Sequence, residues 1–162
     1  MSPKTSYLIV LSFALVWAMF QTGCRPELSE ESPAAGARSI HARVLTVDTH
    51  CDTAFRLLDG TWDIGARHEP GQRASGQIDL PRMAEGGLDA EFFAVFVGQE
   101  ERTEEGYEKA KESALQMLEA IRAMCAKYPN LVGLALTPDD AYRLEKEGRR
   151  AAFIGLENGY PV

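Results

Sequence analysis

The sequence predicts an α/β protein whose strands run parallel. Short apolar, strand-like segments alternate along the chain with segments that have the spacing of amphipathic helices. Residues 90–97 are almost continuously apolar, as expected of a parallel strand covered on both faces. Polar residues of metal-binding types follow the first and the last predicted strand. Strand, helix, strand, helix, strand in this order indicates a right-handed parallel arrangement.

The first half of the folded region is predicted to contain a helix, a strand and a long loop. A short helix is expected at residues 40–43, with His41 on its surface, and the first strand at 45–49. The loop over residues 57–77 is long, and loops of this length inside a compact domain tend to carry function. His68, in this loop, has no partner at a ligand spacing and is left out of the site.

The second half is predicted to contain two helices and a strand. A helix over residues 103–127 has small or apolar residues at i, i+3 and i+4, typical of one buried face. That face comprises Tyr107, Ala110, Ala114, Met117, Leu118, Ile121 and Met124. A shorter helix begins with Thr137 as its N-cap and ends at Gly148. The third strand covers 151–156, and Glu157 stands where it meets the next loop.

A histidine and an aspartate end the first strand. Because strand side chains alternate, His50 and Asp52 project the same way and Cys51 the opposite way. Zinc accepts His nitrogen and Asp oxygen at about 2.0 to 2.2 Å, although two such residues alone also fit a solvated turn. Cys51 is expected to pack, and Cys125 to be a buried thiol in the long helix. A disulfide between the two stays open.

Several motifs occur in an order that points to one family. The chain has Asp-Thr-His-Cys-Asp at 48–52, Gly-Gly at 86–87 before the second strand, and Gly-Leu-Glu-Asn-Gly at 155–159. From about Ser39 onward the sequence resembles the membrane dipeptidase (renal dipeptidase) family of zinc peptidases. In that family the first strand ends in Asp-x-His-x-Asp and the third in Gly-x-Glu-x-Gly. We expect the two glycines around Glu157 to permit a sharp turn and a close approach.

The resemblance implies both a fold and a site. The fold is the amino-terminal part of a (β/α)8 TIM-type barrel of the metal-dependent hydrolase type. The barrel is incomplete, because a whole one takes about 250 residues. The resemblance also implies two zinc ions, with His50 and Asp52 binding one and Glu157 bridging both as the catalytic carboxylate. Asn158 and Tyr160 depart from the Gly and His often present there in mammalian members, which leaves specificity open.

The activity implied is hydrolysis of dipeptides. The family completes its site with two histidines and an aspartate from later strands, so this chain alone is expected to be an inactive fragment. Two other functions stay open: another metal-dependent amidohydrolase, or a non-catalytic lipoprotein that retains the fold. The formal charge of −7 argues against a nucleic-acid partner. A homodimer is left open.

The front of the chain predicts export. The apolar run over residues 7–20 would reach about 21 Å as a helix, short of the roughly 30 Å hydrocarbon core. Gly-Cys at 23–24 resembles a bacterial lipoprotein cleavage site, which makes Cys24 the lipidated residue that anchors the protein to the membrane of the bacterial cell envelope. Cleavage near Thr22 without lipid and an uncleaved anchor are the alternatives.

The sequence therefore divides into three predicted parts. Residues 1–23 form the signal peptide and 24–38 a flexible tether rich in Glu, Ser, Pro and Ala. Residues 39–162 hold the first three strand-helix units of the barrel.

Overall fold

The computed structural model describes residues 32–69, 71 and 76–162. The chain divides into two compact units, Met1–Ala35 and Gly36–Val162, and only residues 32–35 of the first are described. The second unit contains a four-stranded sheet in which all neighbouring strands are parallel. The predicted parallel α/β architecture is confirmed.

Nine helices and strands lie in the described part of the chain. The strands are β1 (Val47–Cys51), β2 (Ala90–Val95), β3 (Val132–Leu134) and β4 (Arg150–Leu156). The helices are α1 (Pro33–His41), α2 (Ala54–Leu57), α3 (Leu80–Gly86), α4 (Glu104–Lys127) and α5 (Pro138–Lys146). The sequence analysis does not predict β3, α2 or α3.

The strand order across the sheet is β1-β2-β4-β3, which differs from the order in the chain. The chain runs from β2 through α4 to β3, and then returns through α5 to β4. Crossovers between parallel strands are right-handed, so this change of direction places α4 and α5 on opposite faces. The two buried hydrophobic clusters, one on each face of the sheet, agree with this placement of the helices. Phe93 and Ala152 pack with Ile121 of α4, whereas Ala151 packs with Leu144 of α5.

The short strand β3 is hidden in the sequence. Three residues are too few to show a periodicity, and Gly133 at the centre has no side chain to contribute to a pattern. A Cβ at Gly133 would lie 2.5 Å from the side chain of Leu144. The glycine that obscures the strand therefore allows α5 to pack directly on its backbone.

Helix α1 begins earlier than predicted. The sequence analysis places a short helix at 40–43, but α1 starts at Pro33, so the last part of the predicted tether over 24–38 is helical. Three alanines near its start favour helix, and proline is tolerated in the first turn.

Helix α3 is built on a buried aspartate. Asp79 caps it by accepting the backbone N–H of Arg82 at 2.8 Å, Pro81 occupies the first turn, and Gly87 ends it with φ 70°. Asp79 also accepts the backbone N–H of His68 at 2.9 Å and the Arg82 Nε at 2.6 Å. Burial pushes the pKa of Asp79 upward, but these hydrogen bonds together outweigh it and the pKa is lowered.

The predicted ends of α4 and α5 are confirmed. Thr103 accepts the backbone N–H of Gly106 at 3.1 Å and caps α4. Thr137 and Asp140 form a reciprocal capping box at the start of α5. Gly148, with φ 73°, follows the end of α5.

The core face of α4 is confirmed for five of its seven predicted residues, the exceptions being Tyr107 and the half-buried Leu118, which is not part of the core cluster. Ala110, Met117, Ile121 and Met124 are buried, and Ala114 packs against them. Tyr107 is 42% exposed and its ring rests against Tyr160, with centroids 5.3 Å apart. Assigning Tyr107 to the core was wrong, because the first turn of α4 extends past the edge of the buried cluster.

The middle strand β2 carries a buried carboxyl that the apolar pattern concealed. Glu91 is fully buried, and neither carboxylate oxygen has a hydrogen-bond partner among the described residues. Burial, helped by the charge of the neighbouring Asp48, raises the pKa of Glu91 from its ordinary 4.5 to about 8. In the folded state Glu91 therefore keeps its proton at neutral pH.

Glu91→Gln should stabilise the protein above neutral pH. Because the folded-state pKa is raised, the unfolded chain ionises first, and stability falls as pH rises from about 4.5 to about 8. The glutamine variant lacks this loss, which is on the order of 5 kcal/mol at most. Urea unfolding of both proteins at pH 5, 7 and 9 measures the difference, which should grow with pH. A difference independent of pH would contradict the assignment.

Candidate metal centre

The end of β1 is irregular, and this irregularity positions His50. Asp48 pairs with Glu91 and Cys51 with Phe93, so three steps along β1 match two along β2. The extra residue is a bulge. It places Cys51 on the α4 face beside Phe93 and leaves His50 on the opposite face. The backbone N–H of His50 donates to Asp48 Oδ1 at 3.1 Å, and this hydrogen bond stabilises the bulge.

The structure brings the three predicted ligands together. His50 Nε2 lies 3.3 Å from Asp52 Oδ1 and 4.0 Å from Glu157 Oε2. One ligand atom from each residue lies within 4.8 Å of the other two. All three side chains are accessible, at 50%, 52% and 38% exposure. An ion from solvent can therefore reach all three.

Strand β2 separates the two strands that supply these residues. Neighbouring strands lie about 4.8 Å apart, so β1 and β4 are about 10 Å apart. The side chains of His50 and Glu157 therefore approach each other over the end of β2. Alternation along the strand puts Ala94 on this face, paired with Gly155 of β4. Small residues at both positions leave the space between the ligands free.

Glu157 follows the last residue of β4 but still belongs to the strand ladder. Its backbone N–H donates to the carbonyl of Val95 at 3.2 Å. The flanking glycines were expected to permit a sharp turn and a close approach, and the structure shows neither. Neither Gly155 nor Gly159 has a positive φ. A Cβ at Gly155 would come no closer than 3.9 Å to Phe92, and one at Gly159 would meet nothing within 4 Å.

Cys51 lies between two of the candidate ligands but packs on the opposite, buried face of the sheet. The thiol is buried, donates to Thr53 Oγ1 at 2.8 Å and accepts the Thr53 N–H at 3.3 Å. Gln77 Oε1 lies 3.6 Å from the same sulfur. Burial, which outweighs these bonds, raises the pKa of the thiol. The prediction that Cys51 packs is confirmed, and Cys51 and Cys125 are both free thiols. Sequence reasoning missed Gln77 because it lies 26 positions away.

The other predicted candidates lie elsewhere. The His68 ring stacks on Trp62 with centroids 4.8 Å apart, and its Nε2 lies 2.8 Å from the carbonyl of Asp63. His41 is exposed on α1, as predicted. Cys24 lies outside the described residues. Within the described ranges, no helix combines the length and apolar character that crossing a membrane requires.

The donor set suits zinc. Bonds of 2.0 to 2.2 Å in a tetrahedral shell put neighbouring ligand atoms about 3.4 Å apart. The 3.3 Å between His50 Nε2 and Asp52 Oδ1 matches this, whereas Glu157, 4.0 Å from His50 and within 4.8 Å of Asp52, would have to move closer to share one shell with them. An imidazole nitrogen among the donors favours zinc over magnesium or calcium, which prefer oxygen.

Comparison with known proteins assigns the family. The sequence model of the membrane dipeptidase family, peptidase family M19, matches residues 34–162. The chain belongs to this family. The match covers the whole sheet and all three residues of the candidate centre. The family resemblance inferred from the motifs is therefore confirmed.

Two fungal dipeptidases are among the relatives. The chain is 25% identical over 141 residues to dipeptidase ataJ of Aspergillus terreus, an alignment that covers 84% of this chain and 34% of the relative. It is 22% identical over 100 residues to dipeptidase tcpJ of Claviceps purpurea, covering 59% of this chain and 24% of the relative. The chain thus spans about a third of the first relative and about a quarter of the second.

Solved structures identify the fold. The probable dipeptidase PvdM from Pseudomonas aeruginosa superposes with a TM-score of 0.59 and 25% identity, covering 78% of this chain and 31% of that one. A metallo peptidase from Rhodobacter sphaeroides, liganded with a phosphinate mimic of the dipeptide L-Ala-D-Ala, has a TM-score of 0.59 and 21% identity, covering 74% and 39%. The parallel sheet is therefore part of a TIM-type barrel, as predicted.

His50→Ala should abolish specific zinc binding by this chain, because it removes the one imidazole of the centre. His41→Ala is the matched control, since His41 is exposed on α1 and belongs to no cluster of potential ligands among the described residues. Competition with a chromophoric chelator measures both affinities. Equal zinc affinity in the two variants would contradict the ligand assignment.

Proposed function

We propose that this protein is a zinc-dependent dipeptidase in which His50 and Asp52 hold one zinc ion and Glu157 bridges two. The observation that carries the proposal is the convergence of these side chains at the carboxyl ends of β1 and β4. In TIM-type barrels the active site lies at this end of the strands. Membership of a metallopeptidase family supports the same assignment.

Each residue has a distinct part in this proposal. His50 would bind a zinc ion through Nε2. Asp52, 3.3 Å away, brings a negative charge to the same ion. Glu157 has two carboxylate oxygens, so each can face a different ion. A pair of bound zinc ions would lower the pKa of a shared water and polarise the scissile carbonyl.

The substrate class follows from the relatives. Proteins related to this chain are dipeptidases, and one related structure holds a mimic of L-Ala-D-Ala. We therefore propose dipeptides as substrates. The three ligands described here cannot complete two zinc shells, so we also propose that this chain by itself is inactive.

The full chain should bind at most one zinc ion weakly and hydrolyse no dipeptide above background. A chimera in which residues 34–162 replace the matching segment of the Rhodobacter sphaeroides metallo peptidase should hydrolyse L-Ala-D-Ala in a zinc-dependent manner. Glu157→Gln in the chimera should lower kcat by at least about 100-fold, because it disturbs both ions.

The unmodified Rhodobacter enzyme and a His41→Ala chimera serve as positive controls, and circular dichroism establishes that each chimera is folded. A folded chimera whose turnover is insensitive to Glu157→Gln would refute the bridging role. Tight binding of two zinc ions by the chain alone would show that it completes the site by self-association.

We further propose that the protein is an exported lipoprotein of the bacterial cell envelope, anchored through Cys24. The support is the sequence alone: a short apolar run followed by Gly-Cys. Cys24→Ser should abolish labelling with a radioactive fatty acid in a bacterial host. Cys125→Ser controls for the loss of a thiol and should be labelled as the parent is. Labelling of the Cys24→Ser protein would rule out this anchor.

A further inference from the structure

The loop that carries Glu157 is tied to the loop after β2 by two side chains. We call residues 157–160 the Glu157 loop. The Asn158 amide donates to the carbonyl of Val97 at 2.8 Å, across the gap between the two loops. Its Oδ1 accepts the backbone N–H of Tyr160 at 3.1 Å, which closes a local turn. One side chain thus shapes the Glu157 loop and attaches it to its neighbour.

Tyr160 makes the second tie. Its hydroxyl donates to the carbonyl of Glu101 at 2.8 Å, and the side chain is almost fully buried. The fit depends on Gly106 in the first turn of α4. A Cβ there would lie 2.2 Å from the Glu101 carbonyl oxygen and 2.8 Å from the Tyr160 hydroxyl. The sequence therefore provides a glycine where these two groups approach the helix.

The Glu157 carboxylate depends on these ties for its position. The side chain is 38% exposed, and its Oε2 lies 4.0 Å from His50 Nε2. Its backbone N–H donates to the carbonyl of Val95. Beyond that point the chain leaves the sheet, so Asn158 and Tyr160 are what fix its course.

We propose that Asn158 and Tyr160 are positioning residues for the metal-binding carboxylate of Glu157. The inference rests on the proposed function. Functional groups at a metal site must be held within about 0.5 Å of their working geometry, which requires support from surrounding residues. The ties to Val97 and Glu101 provide that support from the loop after β2.

Metal binding by the full chain tests the proposal. Asn158→Ala removes both amide contacts, and Tyr160→Phe removes the hydroxyl alone. Each variant should weaken Co²⁺ and Zn²⁺ affinity, by about 10-fold for Asn158→Ala, the lower end of the range for residues that orient metal ligands. The d–d absorption of the Co²⁺ form should change as the geometry at Glu157 relaxes.

Matched controls separate positioning from general stability. Asn130→Ala and Tyr142→Phe change exposed residues of the same types that lie outside the Glu157 loop and are not among the candidate ligands, and should leave affinity and spectrum unchanged. Thermal unfolding identifies any variant that fails to fold. Should Asn158→Ala do so, Tyr160→Phe, which loses one oxygen atom, decides the question.

A double-mutant cycle shows whether Asn158 acts through Glu157. In a Glu157→Gln background, Asn158→Ala should weaken metal binding no further. Parent-like affinity and spectrum in folded Asn158→Ala and Tyr160→Phe, with weakened binding in Glu157→Gln, would overturn the positioning role alone. Unchanged binding in Glu157→Gln would instead overturn the ligand assignment, and the positioning role with it.

Discussion

The candidate site depends on the pairing of β2 with a strand on each side. β2 and β4 pair over six consecutive residues without irregularity, from Ala90 with Ala151 to Val95 with Leu156. This register sets the height at which Glu157 leaves the sheet. On the other side, a bulge of one residue turns His50 toward the same face. Because side chains alternate, a slip of one residue on either side would turn a ligand away.

Strand β2, which lies between the two ligand-bearing strands, also carries Glu91, a buried carboxyl group. Glu91 is enclosed in the apolar layer under α4, where ionisation is strongly disfavoured. Its register neighbour Asp48 accepts the N–H of His50 and so supports the bulge. Asp48, which holds the backbone of His50, is therefore paired across β1 and β2 with the buried carboxyl of Glu91. Local conflicts of this kind concentrate at functional sites, where geometry takes precedence over stability.

The ligand-bearing face of the sheet is only partly covered. Helix α5 packs on it near the start of β4, but Val47, Leu136 and Tyr142 remain 45%, 79% and 52% exposed. In a closed TIM-type barrel the face toward the axis is filled with side chains. An open apolar face is therefore what a part of such a barrel presents, and the chain spans 31% and 39% of two related structures.

Local features could be predicted from the sequence: the helix caps at Thr103 and Thr137, the strand ends near His50 and Glu157, and the projection of Cys51 to the face opposite His50. These depend on a few neighbouring residues, so their signals are local. Tertiary structure alone decided the strand order, the bulge in β1, the burial of Glu91 and the ties of Asn158 and Tyr160 to the loop after β2. Each of these joins groups far apart in the chain, and Asn158 and Val97 are 61 positions apart. Pairing at such a distance is set by how whole strands and helices pack, which no local pattern records.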